Sequence, residues 1–80
     1  MNQITLRIHL TDGTVLELDT KASDIIKWET YFDLSIDKLE KFTHLLYLAW
    51  LTATRNGKTS SEFEVWCDLV KSVEVDDPKG

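Results

Sequence analysis

"FTHLLYLAWLTATRNGK", residues 42–58, holds no residue charged at neutral pH from Phe42 to Thr54 and then turns polar. Such a stretch reads in three ways: a membrane span, a buried core helix, or a face meant for another protein. Length removes the first, since about 20 apolar residues are needed to cross a bilayer and Lys41 and Arg55 close in on either side. Wound as a helix, Leu39, Phe42, Leu46, Ala49, Trp50 and Ala53 form one apolar face, while Leu45, Leu48, Leu51 and Tyr47 fill the remaining directions. A helix apolar all round is either enclosed by its neighbours or open to a partner. Both readings stand for Tyr47, Trp50 and Leu51, the candidate partner-binding residues. Tyr and Trp bury large area while keeping a polar handle, which suits core and interface alike.

The same stretch sets the boundaries of its helix, expected over residues 36–55. Ser35 is placed to cap the start and Asp37 falls in the first turn. At the other end Asn56 and Gly57 stop it, with Gly57 in the left-handed conformation and Arg55 and Lys58 near the negative end of the dipole.

Upstream, residues 4–10 alternate strictly, with Ile4, Leu6, Ile8 and Leu10 on one face and Thr5, Arg7 and His9 on the other. A second run, Val15 to Asp19, places Leu16 and Leu18 together, so residues 3–19 read as a hairpin. A two-residue Asp12-Gly13 turn would set Ile8 opposite Glu17. A three-residue loop, Thr11-Asp12-Gly13, instead pairs Ile8 with Leu16, Leu6 with Leu18 and Arg7 with Glu17, and is the expected register. After Thr20 the period becomes helical: Ala22, Ile25, Trp28, Glu29 and Phe32 place a helix over residues 21–32, with Asp24 near its positive end.

Downstream, Ser61 with Glu64, or Thr59 with Glu62, has the form of a capping box. A helix is expected over residues 61–73, its apolar face made of Phe63, Trp66, Cys67, Val70 and Val73. Residues 74–80 then read as an acidic tail that Pro78 cannot continue as helix. The expected fold is α+β, an antiparallel β-hairpin followed by three α-helices (ββααα), in one domain over residues 1–80.

At 80 residues and a net charge of -5, the chain has a small core, burying about 60–65 % of its unfolded surface, and little attraction for phosphate backbones or anionic lipid. Neither nucleic acid nor membrane is an expected partner. A single cysteine excludes an internal disulfide or a cysteine metal cluster and fits a reducing compartment. The N-terminal residues have no leader-like pattern, so export is not expected. No nucleophile with its base, carboxylate pair or Gly-rich phosphate loop is evident, and His9 and His44 have no ligands at zinc spacing. Cys67, beside Trp66 on an apolar stripe, reads as an inert core thiol. Neither enzyme activity nor a cofactor is expected.

The hairpin "ITLRI" with "TDGT" and "LELD", the Trp-bearing "DIIKWE", then "YLAWL" with Arg55 and Gly57, "Phe63…Trp66" and "VEV" resemble, over roughly residues 3–77, the short tail assembly chaperones of long-tailed bacteriophages. The resemblance implies a non-enzymatic protein that coats the tape measure protein while the tail tube assembles, acts in the cytoplasm of the infected bacterium and is absent from the mature virion. It also implies a longer form, made by ribosomal frameshifting, that recruits tail tube subunits. Asp77-Pro78-Lys79 is compatible with a slippery codon run, and these 80 residues do not include such an extension. Self-association is compatible with this role. The alternatives are a small phage-encoded interaction module, an adaptor or inhibitor of a host protein, and a structural tail or head completion protein.

Overall fold

The computed structural model describes residues 4–76. Two strands, β1 (Thr5–Leu10) and β2 (Val15–Asp19), form the N-terminal hairpin, followed by α1 (Ala22–Phe32), a 3-10 turn (Ile36–Lys38), α2 (Phe42–Arg55), α3 (Phe63–Leu69) and a third strand, β3 (Val70–Asp76). The sheet is antiparallel throughout, in the order β2-β1-β3. The hairpin register is the expected one: Leu6 opposes Leu18, Arg7 opposes Glu17 and Ile8 opposes Leu16. Gly13 takes φ +94° in the loop, and the Asp12 carboxylate accepts the Thr14 N–H at 2.9 Å. Because the loop sets which face each side chain takes, Leu6 and Ile8 become fully buried while Arg7 bonds Glu17 on the open face.

The ββααα expectation fails at the C-terminus. The third helix ends at Leu69 rather than residue 73, and residues 70–76, expected as helix end and tail, are a strand beside β1. Val73 opposes Ile8 and Val75 opposes Leu6, but Leu10 opposes Val70 and His9 opposes Ser72, which leaves Lys71 as the extra residue of a bulge. The bulge puts Val70 and Val73, three apart, both into the core. Three is also a helical spacing, so the two valines continue the stripe of Trp66 and Cys67 on paper while belonging to a strand.

The starts of the later helices differ as well. Residues 36–41 do not begin α2: Ser35 precedes a single 3-10 turn without a side-chain cap bond, and Leu39 is extended. The Glu29 carboxylate accepts the Ile36 N–H at 2.8 Å, which holds this turn against α1. Phe42, expected on the core face, is 52 % exposed. At α3 the N-cap is Glu62 without a side-chain cap bond, so the Ser61–Glu64 box does not form. The Ser61 N–H is taken instead by the Thr59 hydroxyl at 3.1 Å.

The helices cover one face of the sheet. Leu6, Ile8, Leu18, Val70 and Val73 from the strands meet Trp28, Leu46, Leu48, Ala49, Ala53 and Trp66 in one cluster. α2 lies centrally, touching α1, α3, β2 and β3. The other sheet face carries Arg7 between Glu17 (2.8 Å) and Glu74 (3.5 Å), an exposed arrangement that adds little stability. Among the described residues no helix is long and apolar enough to cross a membrane.

Candidate partner-binding surface

The outward side of α2 is built on rings. Tyr47 is its centre: it stacks on Tyr31 of α1 (centroids 4.1 Å apart, planes at 12°), meets Phe32 edge-on at 5.4 Å, and touches Trp50 at 5.4 Å and Phe63 of α3 at 5.1 Å. Trp50 and Phe63 lie 5.9 Å apart. A continuous row, Tyr31, Tyr47, Trp50 and Phe63, therefore crosses three helices. Offset and edge-on ring contacts of this kind contribute about 0.5–1.5 kcal/mol each beyond their burial. The row is assembled within the chain itself, without a partner.

The structure places all three candidates from the sequence in one environment. Tyr47, Trp50 and Leu51 are half-buried, all three packed on the core cluster. The Trp50 indole N–H donates to the Ser61 carbonyl at 2.9 Å, so its polar handle ties α2 to the segment before α3 and is not free for a partner. Burial, and secondarily the neighbouring Tyr31, pushes the Tyr47 hydroxyl above its ordinary pKa, keeping it a neutral donor. Tyr31 is the open end of the row, 61 % exposed. In the sequence it lies off the stripe of Ile25, Trp28 and Phe32 that marks the core face of α1. The available signal was its i+3 spacing from Trp28, which places it on the α2-facing flank.

Two features brace the surface. At one end of the α1–α2 pair, the buried Asp24 carboxylate accepts the Lys21 N–H (3.0 Å) and pairs with Arg55, whose Nε lies 3.0 Å from both oxygens and whose terminal nitrogen lies 2.8 Å from Oδ2. The Asp24 hydrogen bond raises the already high Arg55 pKa. At the other end the Trp28 indole N–H donates to the His44 carbonyl at 2.8 Å. In the sequence Asp24 marks the start of one helix and Arg55 the end of another, and the packing of α1 against α2 brings the two ends together.

Reactive groups do not converge here. The Cys67 thiol is pushed up by burial and then by Asp68 and Glu64, so it stays protonated at neutral pH and is a poor nucleophile. Among the described residues no group of three or more His, Cys, Asp or Glu side chains could hold a metal ion. The arrangement is equipped for apolar contact. No protein-family model, characterised protein or solved structure matches this chain.

Proposed function

We propose that this protein is a non-enzymatic assembly chaperone that binds an unassembled helical chain through the aromatic row, in the manner of the phage tail assembly chaperones its sequence resembles. The partner on this reading is the tape measure protein, held in the cytoplasm of the infected bacterium and released before the virion is complete. A longer, frameshifted form would add contacts to the tail tube protein; residues 77–80, where the slippery run would lie, are outside the described residues. The observation that carries the reading is the exposed Tyr31 ring, stacked on Tyr47 and continuous with Trp50 and Phe63. Aromatic anchors held rigid by their neighbours are the residues that dominate interfaces, and an amphipathic helix laid across such a row buries its apolar face.

Co-expression with the tape measure protein tests this. The complex is expected to co-purify, and Tyr31→Asp to weaken it at least about tenfold, roughly 1.4 kcal/mol, while far-ultraviolet circular dichroism stays unchanged. Trp50→Asp is a poorer probe, because it also breaks the bond to Ser61. No co-purification would refute the chaperone reading; a complex indifferent to Tyr31→Asp would move the contact elsewhere. Stoichiometric abundance in purified virions would favour a structural subunit instead.

A further inference from the structure

His44 occupies the third position of α2, 8 % exposed, with its ring 5.4 Å from Trp28 and 4.7 Å from Phe32. Its Nδ1 accepts the backbone N–H groups of Glu40 (3.3 Å) and Lys41 (3.4 Å). Only an unprotonated ring nitrogen accepts, so this geometry requires the neutral tautomer with its proton on Nε2. A Glu or Gln usually reaches back to the N-cap from this position. Lys41, the N-cap itself, has a side chain that donates but cannot accept. The acceptor at this helix start is thus an imidazole, whose charge changes in the physiological range.

We propose that His44 is a proton-operated cap: its protonation uncaps α2 and loosens the α1–α2 end that carries the aromatic row. A proton on Nδ1 would face two N–H donors and add positive charge at the positive end of the helix dipole. The surroundings offer little compensation. α1 presents the Trp28 and Phe32 rings, and its nearby carboxylate, Glu29, is engaged by the Ile36 N–H. The charged side chains of the approach to α2, Asp37, Lys38, Glu40 and Lys41, are exposed, and the Tyr47 ring one turn on meets other rings. The disturbance has a route outward: the His44 carbonyl holds the Trp28 indole, and Phe32 touches His44, Tyr31 and Tyr47. His9 lies apart, on the other face of the sheet, with its Nε2 3.5 Å from Glu74.

The test uses the whole protein between about pH 7.5 and about pH 5.5, spanning the ordinary imidazole value near 6.5. A proton on Nδ1 breaks both cap bonds, so the stability that the cap contributes is expected to be whole at the upper end of this range and reduced at the lower. The wild type is expected to lose about 4–8 °C in Tm across this window, with the Glu40 and Lys41 amide resonances following the His44 ring. His44→Gln keeps an acceptor and removes the titration, so its Tm should stay level, whereas His9→Gln should keep the fall. The same fall in His44→Gln, amides that do not follow the ring, or nitrogen shifts showing a proton on Nδ1 at about pH 7.5 would each overturn the proposal. The last two measurements need only the wild type, so they decide it even where the variant fails to fold.

Discussion

A carboxylate 2 % exposed is tolerable only with partners, and Asp24 finds them on two elements: its own helix start and the guanidinium of Arg55. Arg55→Ala leaves that carboxylate buried and unpaired. Losing one member of a buried pair costs 3–5 kcal/mol; with the Arg55 side chain 27 % exposed, solvent screening lowers the expectation to about 2–3 kcal/mol. Urea denaturation of the variant measures this, and a loss under about 1 kcal/mol would show that the pair is screened like a surface one. Tyr47 supplies a pH-dependent counterpart. Its hydroxyl is raised by burial first and by Tyr31 second, so the unfolded chain ionises before the folded one. The contribution is whole below the ordinary value near 10 and is lost as pH rises through the folded one. The urea midpoint should therefore drop between about pH 9 and about pH 10.5, and less steeply in Tyr47→Phe. Equal slopes in the two proteins would assign the alkaline loss to other groups.

Elements show what could be read from the chain and what could not. The hairpin was legible because its alternation is unbroken and the loop choice had one outcome that matched apolar with apolar and Arg7 with Glu17. Gly13 makes that loop, and an added Cβ would meet nothing within 4 Å. Gly13→Ala should therefore cost only the positive-φ penalty, about 1 kcal/mol by thermal denaturation; a much larger loss would mean that the loop rearranges. β3 was illegible for a physical reason: the bulge at Lys71 turns its buried Val70 and Val73 into an i, i+3 pair, and periodicity alone cannot separate that from a helix. The start of α2 was hidden too, since its cap comes from His44 within the helix rather than from the Ser35 that the usual signature selects. Of the candidate surface, Tyr47 and Leu51 were visible as surplus apolar directions and Trp50 as part of the core-facing stripe, but Tyr31 and Phe63 joined the row only through tertiary packing. A chain ending after Leu69 discriminates the two folds. The expected hairpin with three helices would only fray at the end of its last helix, whereas the observed sheet loses the partner of β1 and two core valines, so near-ultraviolet circular dichroism and dispersed amide resonances should vanish.

At the scale of the molecule, every element except the 3-10 turn contributes to one buried cluster: Leu6 and Ile8 from β1, Leu18 from β2, Trp28 from α1, Leu48 and Ala49 from α2, Trp66 from α3, and Val70 and Val73 from β3. No helix has a separate core to retreat to, and a three-stranded sheet whose outer face is charged cannot bury its inner face without the helices. Chains of this size with one core unfold in a single cooperative step. Tryptophan fluorescence follows the helical layer, where Trp28, Trp50 and Trp66 all lie, whereas amide hydrogen exchange of β1 follows the sheet. In urea the fluorescence midpoint should coincide with the far-ultraviolet midpoint, and the slowest β1 amides should exchange with the free energy of global unfolding. A helical layer that melts first, leaving β1 protected, would show that the aromatic row is a separable unit. Coincidence means that a partner docking on the row stabilises the sheet beneath it as well, by an amount set by its concentration relative to Kd.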